Sequence, residues 1–166
     1  MYTDFAKAFD TVLHSKLLLK LKSYNTNANL ERWVSDFLCN RKPCVILHGE
    51  QSSWFDVISG IPQGSILGPF LILDLHQRPK ELCDAQDSSS EIFLYADDSK
   101  LYKVIQDNHD QEKLQSVMNI IKTWSYEWLL RLNIDKCKPV SYCLKHPIDT
   151  SYHIVDKNQV FPLEKK

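Results

Sequence analysis

Apolar side chains recur along the chain at the spacing of amphipathic helices. The longest such pattern covers 108–128. Its apolar positions are Leu114, Val117, Met118, Ile121, Trp124 and Trp128. Residues three and four apart share one face of a helix, so this spacing predicts a helix with a single buried face. Shorter patterns of the same kind predict helices over 12–23 and 30–38.

Other segments have the short apolar runs and flanking turn residues that are typical of strands. Two runs, 44–48 and 54–58, predict a hairpin whose turn is formed by the residues between them. A second hairpin is predicted over 91–104, where two apolar runs flank Asp97 and Asp98 at the tip.

The pattern is weaker elsewhere. A polar loop is predicted over 84–90, and a last strand over 139–144. The tail, 146–166, is expected to be weakly structured.

The predicted order is strand, helix, inserted hairpin, helix, strand, strand, helix, strand. Without the insertion this order is βαββαβ, an α+β arrangement with helices on one face of an antiparallel sheet. The end of the first strand can then lie beside the turn between the second and third strands. We therefore expect Asp4 to meet Asp97 and Asp98, although they are distant in the sequence.

Two adjacent carboxylates at a turn repel each other unless a cation lies beside them. A pair of Mg²⁺ ions would serve, because Mg²⁺ prefers carboxylate oxygens and keeps positions open for substrate phosphates. The alternative is a solvated acidic turn, since Asp is common in turns. Both interpretations are open for Asp97 and Asp98 taken alone.

Composition limits the possible partners and compartments. The 166 residues are 43% hydrophobic and 25% charged, as in an ordinary globular domain. The net charge of −1 lacks the positive excess of a free-standing nucleic-acid binder, so a nucleic-acid site would be a local patch. The five cysteines follow no zinc spacing and no signal peptide precedes them, which predicts an intracellular protein of the nucleus or cytoplasm. The apolar runs are too short to span a bilayer.

Four segments together resemble the palm motifs of reverse transcriptases, specifically those of non-LTR (LINE-type) retrotransposons. They are Asp4–Val12, Gly60–Pro69, Tyr95–Asp98 and Trp128–Lys136. A lone Tyr-Ala-Asp-Asp is a weak motif, whereas its combination with an acid-rich first motif and a Gly-Ile-Pro-Gln-Gly loop is specific. The resemblance implies a polymerase palm with partial fingers over residues 1–145 and a separate tail after it.

The resemblance also implies the reaction, which is two-metal nucleotidyl transfer onto a primer 3′-hydroxyl with Mg²⁺, or alternatively Mn²⁺. Asp4, Asp97 and Asp98 are then catalytic metal ligands, and Phe5 adds its carbonyl as a backbone ligand. Lys136 matches a lysine near the leaving phosphates, where it could offset charge or donate a proton. The alternative for Lys136 is a solvated surface lysine.

Further positions match substrate contacts of the family. Phe9 matches a residue that packs under the nucleotide sugar and excludes a 2′-hydroxyl, or alternatively joins the core. Gln63 and Gly64 are expected near the incoming base and template, where glycine allows close backbone approach. Phe5 and Tyr95 are assigned to the same substrate site.

Aromatic and basic residues are interleaved at two places outside these motifs. Trp33 follows Arg32 directly, and Trp54 follows the basic pair Arg41 and Lys42 on the other arm of the predicted hairpin. Such surfaces can hold a nucleic-acid backbone and stack on bases. Burial of Trp33 and Trp54 in the core is the favoured interpretation.

The sequence also departs from the family pattern. Fingers before the first motif and a thumb after the last strand are not found, and a longer chain is expected to supply them. The stretch 70–79 is about two residues shorter than the family pattern, and two residues turn a helix by about 200°.

Two hypotheses follow. The first is a fragment of an RNA-directed DNA polymerase of a mobile element, acting on an RNA template, a DNA primer and deoxynucleoside triphosphates, without a membrane. The second is a catalytically silent remnant or a module that binds nucleic acid or protein.

Overall fold

The computed structural model describes residues 1–95, 98–143 and 150–164. The strands are β1 (Tyr2–Thr3), β2 (Ile46–Leu47), β3 (Glu50–Gln51), β4 (Glu91–Tyr95), β5 (Asp98–Tyr102), β6 (His153–Asp156) and β7 (Gln159–Pro162). The helices are α1 (Ala8–Thr11), α2 (His14–Ser23), α3 (Ala28–Leu38), α4 (Leu67–Gln86) and α5 (Asn108–Trp128), with a 3₁₀ turn at Ile134–Lys136. The chain divides into two compact units, Met1–Ala6 with Ile72–Lys166, and Lys7–Leu71.

An antiparallel sheet with the strand order β1-β5-β4 forms the centre of the first unit. Along β5, Ser99 and Leu101 are buried, whereas Lys100 and Tyr102 between and beyond them are exposed. This alternation is that of an antiparallel sheet with one face on the core and one in solvent. It confirms, on the described strands, the hairpin predicted over 91–104.

The helix predicted over 108–128 is confirmed by α5. The Asp107 side chain caps it by accepting a hydrogen bond from the Asp110 backbone N–H. Five positions of its apolar stripe are buried, namely Leu114, Val117, Met118, Ile121 and Trp124. The Trp124 ring meets Phe5 edge-on at 5.8 Å between centroids, which joins α5 to the chain just after β1.

The mixture of helices and antiparallel strands fits the α+β class with a palm-like sheet. The βαββαβ arrangement is not confirmed, because the predicted last strand does not form over 139–143. Lys138 instead makes an isolated bridge to Tyr2, with N–H···O distances of 2.8 and 3.0 Å. Pro139 then lacks the N–H that a continued ladder would need.

The tail differs from its predicted weak structure over 153–162, where β6 and β7 form an antiparallel hairpin. Lys157 and Asn158 adopt positive φ at its two-residue turn. Gln115 of α5 holds the hairpin by donating to the His153 carbonyl at 2.9 Å and accepting from its N–H at 3.1 Å. Residues 144–149 and 165–166 lie outside the described part of the chain.

In the second unit, α2 begins at His14 rather than at Val12, because Val12 and Leu13 have extended ψ angles of 121° and 120°. The helix predicted over 30–38 is confirmed by α3. Val34 and Leu38 are buried, whereas Leu30 and Trp33 are exposed.

The inserted hairpin of the second unit is less regular than predicted. Its strands β2 and β3 are short, and the turn is formed by His48 and Gly49 at positive φ. The segment 54–58 is not a strand, although Phe55 and Val57 still donate backbone hydrogen bonds to the opposite arm. Near the strands the Ser52 side chain accepts from the Val45 N–H at 2.9 Å, in place of a regular ladder contact. Its interpretation as a fingers insertion stays a prediction.

The Ser65 side chain accepts from the Gly68 N–H at 3.0 Å and caps the start of α4. At its other end α4 continues to Gln86, through part of the predicted polar loop. None of the helices in the described residues is long and apolar enough to cross a membrane.

Candidate active site

The register of β1 and β5 places two of the predicted carboxylates at one end of the sheet. Thr3 pairs with Ser99, and the two hydroxyls hydrogen-bond to each other. Asp4 follows Thr3 and Asp98 precedes Ser99, so continuing this register sets Asp4 opposite Asp98. Opposite residues of an antiparallel pair lie on the same face, here the face that includes Lys100.

Asp4 is held by its backbone, and one oxygen of its carboxylate has an ion-pair contact but no hydrogen bond. Its carbonyl accepts from the Asn133 N–H at 2.8 Å. The Asp4 side chain is 16% exposed, and its Oδ2 is buried and accepts no hydrogen bond from the described residues. Lys136 Nζ lies 3.2 Å from Oδ2 as a charge contact, and the lysine side chain is 67% exposed.

Lys136 is therefore brought to Asp4 and is not a lysine surrounded by solvent alone. It ends the 3₁₀ turn, whose backbone is anchored by hydrogen bonds from the Lys136 and Cys137 N–H groups to the Asn133 carbonyl. The neighbouring Cys137 is buried, and burial raises the pKa of its thiol despite a backbone contact with Asp4. The Cys137 thiol is therefore an uncharged neighbour of Asp4.

Asp97 lies outside the described residues, and Asp4 and Asp98 are the members of the predicted carboxylate cluster that the structure describes. Within the described residues no group of three or more His, Cys, Asp or Glu side chains could hold a metal ion. The atoms that do fit a hard cation are the buried Oδ2 of Asp4 and the carboxylate of Asp98 at the start of β5.

Phe5 and Tyr95 lie on either side of this acidic end. Phe5 is buried and forms an isolated bridge with Leu132, whose hydrogen bonds are made by the flanking Asp4 carbonyl and Ala6 N–H. Tyr95 ends β4, pairs with Asp98 and is 81% exposed. An exposed aromatic side chain beside a carboxylate is accessible to a ligand that approaches this face.

The Gly-Ile-Pro-Gln-Gly loop packs on α1 in the second unit. The Gly60 and Ile61 N–H groups donate to the carbonyls of Val12 and Phe9 at 2.8 and 2.7 Å. The Gln63 side-chain amide donates to Asp10 Oδ1 at 3.0 Å. This brings Phe9 and the Gln63 loop together within this unit.

The remaining predicted contacts of the second unit differ in exposure. Phe9 is half-buried in α1, so it is neither a fully buried core ring nor a freely exposed one. Gly64 is exposed at φ 79°, a conformation that favours glycine.

The predicted burial of two tryptophans is wrong. Trp33 is 54% exposed and stacks on Phe37 at 6.3 Å between ring centroids, and Trp54 is 62% exposed. Trp33 directly precedes buried Val34 in α3 and is therefore turned about 100° away from it around the helix, and Trp54 lies on the irregular arm of the hairpin. Helical spacing identified the rings but not which face of α3 is covered.

Sequence reasoning missed His14 beside the glycine loop, and it assigned Arg41 to a possible nucleic-acid surface rather than to this loop. His14 is 7% exposed and its Nε2 lies 2.7 Å from the Gly60 carbonyl oxygen. Arg41 donates to the same oxygen at 3.1 Å. The available signal was the position of His14 three residues before Leu17, which puts both side chains on the buried face of α2.

Comparison with known proteins gives the family. The reverse transcriptase (RNA-dependent DNA polymerase) family matches residues 1–159. The RNA-directed DNA polymerase from mobile element jockey of Drosophila melanogaster is 32% identical over 148 residues, which cover 85% of this chain. The corresponding protein of Drosophila funebris is 30% identical over 145 residues, and the probable polymerase from transposon X-element of Drosophila melanogaster is 29% identical over 147 residues.

The chain spans 16% of the length of each of these three relatives. The match nevertheless extends across nearly all of its own residues and includes both the acidic end of the sheet and the glycine loop. The chain belongs to the reverse transcriptase family, among proteins similar to the RNA-directed DNA polymerases of non-LTR mobile elements.

Proposed function

We propose that this chain is the palm of an RNA-directed DNA polymerase that adds deoxynucleotides to a primer 3′-hydroxyl on an RNA template. The observation that carries the proposal is the register of β1 and β5, which sets Asp4 opposite Asp98 at one end of the sheet. The double acid of the Tyr-Ala-Asp-Asp motif adds Asp97 to this pair by family resemblance.

Members of this family use divalent metal ions, and the residues present fit such ions. Asp4 offers a buried carboxylate oxygen that accepts no hydrogen bond from the described residues. Asp4, Asp97 and Asp98, with the Phe5 carbonyl, would hold two Mg²⁺ ions. When bound, these ions would activate the 3′-hydroxyl and neutralise the leaving pyrophosphate.

Lys136 has two roles in this proposal. Without nucleotide, its ammonium lies beside Asp4 Oδ2 and offsets the negative charge of the acidic end. Its long and largely exposed side chain can turn toward the phosphates of a nucleotide. There it offsets the charge that develops on the leaving group.

The contacts of the second unit are assigned to the nucleotide and template. Phe9 faces the sugar and leaves no room for a 2′-hydroxyl, while Gln63 and Gly64 border the base. Tyr95 contributes an exposed ring beside Asp98. The exposed rings of Trp33 and Trp54 offer stacking to a nucleic-acid strand. Arg32, beside Trp33 in the sequence, and Lys42, which pairs with Asp56 at 3.3 Å, offer charge.

Paramagnetic broadening by Mn²⁺ tests the metal site without requiring polymerase activity. In the ¹⁵N-labelled chain we expect Mn²⁺ to broaden the amide signals of Phe5 and Ser99 first. Asp98→Asn should weaken the apparent affinity by about tenfold or more, since each ligand and its neighbours contribute strongly to metal binding.

Asp84→Asn is the matched control, because Asp84 is an exposed acid in the last turns of α4. It should leave the broadening pattern and affinity unchanged. Broadening spread evenly over surface acids, or an Asp98→Asn variant that binds like the parent, would contradict the proposed site.

A further inference from the structure

The carbonyl oxygen of Gly60 accepts hydrogen bonds from two side chains in separate parts of the second unit. His14 Nε2 lies 2.7 Å away and Arg41 Nη2 3.1 Å away. A carbonyl oxygen can only accept, so both nitrogens donate to it. His14 is 7% exposed, which makes its contact a buried one.

Each donor is itself held in place. The Nε of Arg41 donates to the Leu38 carbonyl at 2.9 Å, so the guanidinium joins the end of α3 to the glycine loop. Nδ1 of His14 lies 3.8 Å from the Cys39 Sγ. In the neutral ring Nε2 carries the proton, and Nδ1 is then an acceptor for the thiol, which orients the imidazole.

The backbone at Gly60 also packs closely on α1 and is hydrogen-bonded at its N–H. Its φ is 87°, and a Cβ there would lie 2.9 Å from the carbonyl oxygens of Phe9 and Asp10. Its N–H donates to the Val12 carbonyl at 2.8 Å, so both polar groups of Gly60 are hydrogen-bonded. Three residues later, the Gln63 side chain donates to Asp10 Oδ1, which is a second contact between this loop and α1.

We propose that His14 and Arg41 are positioning residues that set the place of the Gly60–Gly64 loop, and that they do so through the Gly60 carbonyl. This inference rests on the proposed function, in which Gln63 and Gly64 of that loop border the nucleotide. Neither His14 nor Arg41 touches the substrate in this account. Loss of either donor removes a hydrogen bond from the buried Gly60 carbonyl, and we expect the Gly60–Gly64 loop to open more often as a result.

The two donors His14 and Arg41 on the Gly60 carbonyl form what we name the Gly60 clamp. Amide hydrogen exchange in the ¹⁵N-labelled chain tests this clamp directly. In His14→Leu, which has no donor, we expect the Gly60 and Ile61 amides to exchange about tenfold faster or more. His14→Gln retains an N–H at nearly the same reach and should restore exchange to within about threefold of the parent. The Val117 and Ile121 amides of α5 should not change in either variant.

Arg41→Lys provides an independent test, because one ammonium cannot reproduce the guanidinium fork to two carbonyls. It should also speed exchange at Gly60 and Ile61. Unchanged exchange in His14→Leu, a Gln variant that behaves like Leu, or an equal rise at the α5 amides would each overturn the clamp.

A second readout separates the clamp from the proposed function. Titration with dGTP and Mg²⁺, followed at the Gly64 amide, should show weaker binding in His14→Leu than in His14→Gln. If the parent chain shows no dGTP response, the proposed function is contradicted. The hydrogen-exchange rates test the roles of His14 and Arg41 whether or not dGTP binds.

Discussion

At the scale of single residues, Gly60 and Gly64 illustrate two reasons why a position requires glycine, namely a positive φ and a lack of space for a Cβ. Both have positive φ, at 87° and 79°. A Cβ on Gly60 would meet backbone atoms at 2.9 Å, whereas one on Gly64 would meet no atom of the described residues within 4 Å. We expect Gly60→Ala to lower the free energy of unfolding by about 2–4 kcal/mol, and Gly64→Ala by about 1 kcal/mol.

Urea denaturation of the two variants measures this difference, with Gly64→Ala as the control for backbone conformation alone. Losses of equal size would mean that the contact with α1 adds nothing to the strain at Gly60.

At the scale of elements, a buried ion pair joins the loop after α4, the end of β5 and the start of α5. Lys103 Nζ lies 2.7 Å from Asp87 Oδ2 and 3.6 Å from Asp110 Oδ1, and the side chains of Lys103 and Asp87 are 1% and 6% exposed. Ser89 and Ser90 donate to the two oxygens of Asp87. Lys103→Met should cost about 3–5 kcal/mol of unfolding free energy, because it leaves the Asp87 carboxylate buried without its cation.

Lys100→Met is the matched control for this pair, since Lys100 lies on the exposed face of β5. It should change the unfolding free energy by less than about 1 kcal/mol. Adding Asp87→Asn to Lys103→Met should recover part of the loss, because the unpaired charge is then removed. Equal costs for the two lysine variants would show that the pair is not a buried one in solution.

The same carboxylate gives the stability a pH dependence of known sign. Burial raises the pKa of Asp87, but hydrogen bonds from Lys103, Ser89 and Ser90 outweigh burial and hold it well below its usual value of 3.8. The stabilisation is therefore fully present above about pH 4 and is lost as the pH falls toward the folded-state pKa. Unfolding free energies between pH 7 and pH 3 should decline in the parent and decline less in Asp87→Asn.

At the scale of the whole molecule, we expect purified residues 1–166 to show no primer extension on an RNA template. These residues span 16% of the length of the polymerases they resemble, and their net charge of −1 gives little general attraction for a phosphate backbone. Two-metal transfer needs primer, template and nucleotide in line, and misplacement by 1 Å can cost about 100-fold. Gel analysis of extension, with Asp97→Ala as the blank, measures this.

Extension that depends on Asp97 would overturn that expectation and make these residues a minimal reverse transcriptase. Absence of extension together with Mn²⁺ binding at Asp4 and Asp98 would fit a palm that works within a larger assembly.

The sequence by itself determined the features that depend on neighbours along the chain. The helix α5 forms over the residues whose continuous apolar period predicts it. The β4–β5 hairpin was predicted because its two apolar runs flank a short polar break. The family motifs also belong here, since they are local strings of residues and need no knowledge of packing.

Only the tertiary structure decided which surfaces meet. Trp33 has the same helical spacing whether or not another element covers it, and in this chain none of the described residues covers it enough to bury it. Lys103 and Asp87 read as surface charges in the sequence, yet each is buried because the other satisfies it. The spacing of hydrophobic residues shows which residues share one face of a helix or strand. Whether that face is buried depends on contacts with residues that are distant in the sequence.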